Sequence, residues 1–257
     1  MFDLKYNNAT SAWGYDTIYA VSVRSDAYTF GEVQSKNTVI ANNTINAEGH
    51  SYVYAVYVCA DDFEVSGNNI YSAADSYLAH GIDIDGPSAT GLVSNNTVIV
   101  VAPGSAYGIY SYQYMGAIED IVYSGNVINT TAYASAAMEI VECNPEIIAN
   151  EIIANGNYTY GIVVSIRDDG IIENNSIVVL GSNDGSQPTG DSLLPKNSMA
   201  VSVKGDSLIK NNDIYSTNIG INLVEDGEIT IMDNTIDVES YFACGIELSQ
   251  WDSEITN

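Results

Sequence analysis

Positive charge is what this chain has least of. Lys and Arg number 7 against 33 Asp and Glu, for a net charge of −26. Such a surface repels nucleic acid and anionic membranes, whose binding rests on Lys and Arg. It fits poorly with a polyanionic substrate such as pectate, and it favours solubility and loose association with cations. Cysteine is also scarce. Cys59, Cys143 and Cys244 are far apart and odd in number, and no Cys-x-x-Cys metal or redox pattern occurs. They form no disulfide framework and read as plain buried or half-buried thiols, with a disulfide within or between chains as the alternative. No run of 18 apolar residues exists, which excludes a transmembrane helix in this segment. Met1-Phe2-Asp3-Leu4-Lys5 begins no signal peptide. The chain therefore reads as an excised or processed piece, or as one whose export signal lies outside it. Nor is there a Gly-x-Ser-x-Gly elbow, a P-loop or a His-Glu-x-x-His pair.

What the chain has is repetition. An anchoring Asn recurs at Asn43, Asn68, Asn96, Asn126, Asn150, Asn175, Asn212 and Asn234. Two residues after each stands Ile45, Ile70, Val98, Ile128, Ile152, Ile177, Ile214 or Ile236. Three residues before each stands Ile40, Val65, Val93, Tyr123, Ile147, Ile172, Ile209 or Ile231. The steps average about 27 residues, in the range of solenoids. Hydrophobic residues make up 46% of the chain, which argues against disorder despite the acidity.

A second phrase alternates with the first: a small residue, an apolar one, any residue, then another apolar one. Examples are Ala55-Val56-Tyr57-Val58, Gly81-Ile82-Asp83-Ile84 and Gly161-Ile162-Val163-Val164. Among nine copies, Ser111 alone breaks the apolar pattern at a position meant to point inward. This period-two alternation predicts half-buried strands whose intervening residues face outward. One such unit cannot bury its apolar face alone, but stacked units can. The anchor Asn reads as a corner residue, tolerant of the left-handed conformation and able to bond to the Asn of the next coil. A binding row of amides is the alternative. Tyr19, Tyr54, His80, Tyr107 and Tyr160 precede strands in register and predict an aromatic stack along one corner.

These phrases cover nearly the whole chain and resemble the right-handed parallel β-helix of the pectin-lyase-like superfamily. The expected fold is an all-β, right-handed, single-stranded parallel β-helix of about nine coils with an internal Asn ladder, as one domain over residues 1–257. The Asn-Asn-Thr-Ile style, the acidity and the Tyr, Asn and Ser richness are most similar to the adhesin-like surface proteins of methanogenic archaea. That resemblance implies an exported module at the cell envelope, extracellular, with no defined catalytic centre and no cofactor. The lyases of the superfamily need basic residues and a calcium-carboxylate cluster, whereas this chain holds only Arg24 and Arg167, many coils apart. Of the polygalacturonase phrases, Ala60-Asp61-Asp62 and Ala79-His80-Gly81 are faint echoes and Arg-Ile-Lys is missing.

Candidate site residues lie on the outward rows of the small-residue strands. Asp83, Asp85, Tyr110, Tyr112 and Glu139 form an acid-and-tyrosine patch. Asp83 and Glu139 fall two coils apart, roughly 9–10 Å between backbones, near the spacing of an inverting glycosidase pair. Solubilising side chains on an exposed sheet are the plainer reading. Asn-x-Ser/Thr sequons at Asn8, Asn42, Asn95, Asn129, Asn157 and Asn174 are candidate glycan acceptors, or by-products of the repeat where they adjoin an anchor.

Three stretches interrupt the rhythm: Arg24 to Lys36, Gln113 to Asp120 and Leu180 to Asn197. These read as loops, the last with Asp184 and Asp191 as weak Ca²⁺ candidates. The next Asn corner is due just past Asn257, Lys5-Tyr6-Asn7-Asn8-Ala9 looks like a worn further copy, and neither end carries a cap. The expectation is a longer solenoid, or ends that join identical subunits. Three functions follow: a surface structural or adhesive module meeting surface glycans or proteins, a self-assembling sheath or surface-layer subunit, or a carbohydrate-active enzyme.

Overall fold

The computed structural model describes residues 6–10, 17–23, 36–85, 90–112, 120–166, 169–182, 198–224, 227–240, 243–248 and 253–256. Every regular element among them is a strand, and the strands pair in parallel with the equivalent strand one coil away. The fold is a parallel β-solenoid with three sheets. The first sheet follows each Asn corner, as in Thr44–Gly49, Asn69–Ala74 and Thr97–Val101. The second holds the small-residue strands, such as Tyr52–Val58, Leu78–Asp85 and Ser105–Tyr112. The third leads back to the next corner through Asp61–Ser66, Gly91–Ser94 and Asp120–Ser124. Val127–Ile148 runs unbroken through all three. Eight ladder asparagines give seven complete coil-to-coil steps, and flanking strands extend the stacks at both ends. Counted as complete turns, this is about seven rather than about nine.

The core fills the lumen. All eight residues three before an anchor are buried, as are seven of the eight residues two after one, Ile236 being half-buried. Each fully buried Ile or Val contributes on the order of 1.5–3 kcal/mol, so stacking identical residues builds stability coil by coil. Ser111 is wholly buried in register with Ile84 and Ile140, and its hydroxyl has no hydrogen-bond partner.

The Asn ladder is as expected in its bonding but not in its backbone. Asn126 is typical. Its Nδ2 donates to Asn150 Oδ1 at 2.9 Å and to the Val93 carbonyl at 2.9 Å. Its own Oδ1 accepts from the backbone N of Asn96 at 3.1 Å and from Asn96 Nδ2 at 3.0 Å. The same pattern runs from Asn43 to Asn234, although the loops between successive members range from 22 to 37 residues. The left-handed residue is not the anchor, however. It is the one before it: Asn42, Gly67, Asn95, Gly125, Ala149, Asn174, Asn211 and Asp233, with φ from 53° to 63°. The turn is made first, and the anchor then points inward to be tied.

The small residue of the second sheet is likewise a corner. Pairing passes from Tyr54↔His80 to Val56↔Ile82, skipping Ala55 and Gly81. A Cβ on Gly81 would lie 2.6 Å from the Gly108 carbonyl oxygen and 2.3 Å from a Val98 methyl carbon. The chain bends inward there, so the residues on either side of the bend, three apart, both face out.

Candidate contact site on the outer face of the second sheet

The bend creates two converging outward rows. One runs Tyr19, Tyr54, His80, Tyr107, Ala136, Tyr160, Met199. The other runs Ser22, Tyr57, Asp83, Tyr110, Glu139, Val163, Ser202. The expected aromatic stack is present from Tyr19 to Tyr107, and Ala136 stands between Tyr107 and Tyr160. Ring centroids lie 4.9 Å apart for Tyr19 and Tyr54, 4.8 Å for Tyr54 and His80, and 4.9 Å for His80 and Tyr107. That spacing matches the coil rise of about 4.8 Å. Tyr110 crosses from the second row to pack its ring against His80 at 5.1 Å and Tyr107 at 5.5 Å. These contacts join the two rows, with Tyr19 and Tyr54 stacked face to face and Tyr107 and Tyr110 edge to face.

Of the five candidate residues, register brings Asp83, Tyr110 and Glu139 into line on successive coils, with Asp85 and Tyr112 adjacent in the next row. The expectation that this whole row is open to solvent does not hold. Asp83, Ser202 and Asn222 are buried, because the converging rows cover one another. Asp83 Oδ2 lies 2.7 Å from His80 Nδ1, an ion pair when the ring is protonated. The approach falls outside hydrogen-bond angles, so neither ring nitrogen makes a hydrogen bond. Tyr57 donates its hydroxyl to Asp85 Oδ2 at 2.9 Å.

Glu139 is a carboxyl whose protonation the fold shifts. Burial pushes it up to about 7, and its Oε2 has no hydrogen-bond partner. Burial first, and then the nearby Glu139 carboxylate, raise the hydroxyls of Tyr107, Tyr110 and Tyr160. Burial and then Asp83 push Tyr54 up to about 12.

Sequence reasoning placed His80 in the stack but missed it as the partner of Asp83, and it missed Tyr57 as the partner of Asp85. The signal was the three-residue spacing across each small residue, as in His80-Gly81-Ile82-Asp83, which is legible once that residue is a bend. Among the described residues no group of three or more His, Cys, Asp or Glu is arranged to hold a metal ion. Asp184, Asp191, Arg24 and Arg167 lie outside the described residues, as do residues 24–35, 113–119 and 183–197 of the three interruptions. Cys59 and Cys244 are half-buried; the Cys143 side chain lies outside the described residues. Among the sequons, Asn42, Asn95, Asn129 and Asn174 are exposed, Asn157 is half-buried, and the Asn8 side chain is outside the description. No helix among the described residues is long and apolar enough to cross a membrane. Compared with protein-family models, curated proteins and solved structures, the chain matches none.

Proposed function

We propose that this chain is a rigid, non-catalytic structural module of an extracellular cell surface, presenting its outer faces to neighbouring molecules. The observation that carries this reading is the continuity of the Asn ladder. Seven steps of amide bonding, buried except at Asn234, with the core stacked beside them, tie each coil from Asn43 to Asn234 to the next. Such a ladder stiffens an extended body and has no role in turnover. The acidic surface favours solubility and steers away polyanions. The adhesin-like resemblance supports the same placement. Labelling of intact source cells with a membrane-impermeant reagent tests it: the chain is expected to be labelled, and protection until lysis would overturn the surface placement. Electron microscopy of the purified chain should show isolated rods, and regular filaments would favour an assembling envelope subunit instead.

One observation favours an enzyme as the second reading. Glu139 is held near a general acid's working range, and Asp83 lies two coils away at roughly 9–10 Å. Wild-type turnover on a panel of neutral polysaccharides, lost in Asp83→Asn and Glu139→Gln, would establish it. Inactivity across the panel leaves the structural module.

A further inference from the structure

The outward positions of the first sheet carry an unusual surface for so acidic a chain. Over five successive coils they read Asn69, Tyr71, Ala73; Thr97, Ile99, Val101; Val127, Asn129, Thr131; Glu151, Ile153, Asn155; and Ser176, Val178, Leu180. Glu151 is the only charge among them. Ile99, Val101, Val127 and Leu180 are each 38–41% exposed, and together they make up four of the seven exposed large hydrophobics among the described residues. Glu48 bounds this field on one side, Asp213 and Asp237 on the other. With a rise of about 4.8 Å per coil and 3.3 Å per residue, the field is roughly 19 Å by 13 Å. Ile99, Val101, Val127, Ile153, Val178 and Leu180 gather within it, an apolar footing on which a ligand with C–H faces can rest.

The exposed sequon asparagine Asn129 stands in its middle, followed by Thr130 and Thr131. Ile99 is its partner on one neighbouring coil and Ile153 on the other, and Val127 lies two residues before it on the same face. A second copy of the chain is a poor occupant. It would bring −26 against −26 and set the acidic rims against each other. A saccharide is a good one, since it is uncharged, has apolar C–H faces, and keeps its hydroxyls toward water.

We propose that Asn129 is N-glycosylated and that the attached saccharide lies over Ile99, Val127 and Ile153, covering this face. In the transfer, the Asn129 amide nitrogen bonds to the anomeric carbon of a lipid-phosphate-linked saccharide. The anomeric C–O bond breaks, the lipid phosphate leaves with the electron pair, and the amide proton passes to a base of the transferase. The proposal rests on the surface placement above, which the intact-cell labelling tests separately. The deciding experiment expresses the chain in a glycosylating secretory host, maps glycopeptides by mass spectrometry, and measures binding of a hydrophobic dye. Asn129 is expected to carry a glycan. Asn129→Gln, and Thr131→Ala, which destroys the sequon while keeping Asn129, should each raise dye binding severalfold with the strand circular dichroism unchanged. Asn95→Gln, at a corner off this face, should not. A bare Asn129 overturns the proposal, whatever the other sequons carry. So does an occupied Asn129 whose loss leaves dye binding as it was, or a dimer that Ile99→Asp abolishes.

Discussion

The residue that best shows how this molecule holds together is Asn126. It is fully buried, and removing its side chain leaves the Asn96 backbone N–H without its acceptor and takes one partner each from the Asn96 amide, which keeps the Val65 carbonyl, from Asn150 Oδ1 and from the Val93 carbonyl. Each buried orphan costs about 1–3 kcal/mol, so Asn126→Ala should lose about 3–5 kcal/mol in urea unfolding. A loss within the range of a surface substitution would mean the ladder is ornamental. Ala149 makes the opposite case. It holds φ 55°, where its seven counterparts are Asn, Gly or Asp. A side chain without a local hydrogen bond costs about 1 kcal/mol there. Ala149→Gly should therefore raise stability by about 1 kcal/mol in the same assay.

Glu139 predicts a pH dependence whose sign can be worked out. Its folded pKa of about 7 lies above the ordinary value of 4.5. The folded state therefore holds the proton more tightly than the unfolded chain. The stability this gives is fully present below about 4.5 and is lost as pH rises through about 7. Glu139→Gln should gain on the wild type by about 2–3 kcal/mol between pH 4 and pH 8. The other acids are common to both proteins, so the difference isolates Glu139. A constant difference would show that its carboxyl is hydrated.

At the scale of the element, the small-residue corner decides the shape of the second sheet. A Cβ on Gly161 would sit 2.5 Å from the Ala200 carbonyl oxygen and 2.5 Å from an Ile177 methyl carbon. Ala occupies the same corner at Ala55, Ala137 and Ala200, but at Gly161 its Cβ meets a backbone oxygen inside contact distance, so Gly161→Ala should cost about 1–2 kcal/mol. Gly161→Val adds two methyls with nowhere to go and should cost about 3 kcal/mol by thermal unfolding. If the two substitutions cost the same, the corner is not tightly packed.

This element also marks how far the sequence could be read. Coil length, the inward Ile rows and the ladder were legible because each repeats one residue type at one register. The bend was not. A period-two pattern looks the same whether the small residue is a strand position or a corner, so Asp83 was taken as solvent-facing when His80 and the adjoining tyrosines enclose it. The left-handed turn was misplaced by one residue for a similar reason. In Asn42-Asn43 both residues suit that conformation, and only the packing assigns the turn to the first and the ladder to the second. This also explains the sequons at Asn42, Asn95 and Asn174: a turn-forming Asn, a ladder Asn and a Ser or Thr opening the strand spell the motif for structural reasons.

On the whole molecule, coil stacking decides which side chains stand next to each charge. Equivalent outward positions recur about every 4.8 Å, and register sets Tyr215 between Val178 and Asp237 while Glu151 adjoins Ser176, so acids are interspersed on the first sheet rather than directly paired. With −26 in total, relief of repulsion must come mostly from mobile cations. Cationic side chains offer little; Lys210 meets Glu173 at 3.6 Å. Screening contracts from about 30 Å at 0.01 M salt to about 8 Å at 0.15 M, so the urea midpoint should rise steadily with NaCl over that range. Ca²⁺ at matched ionic strength should do no more than Mg²⁺, since no described cluster gathers three ligating side chains. A saturable gain with Ca²⁺ alone would instead place an ordered cation site on this solenoid, and would direct attention to Asp184 and Asp191.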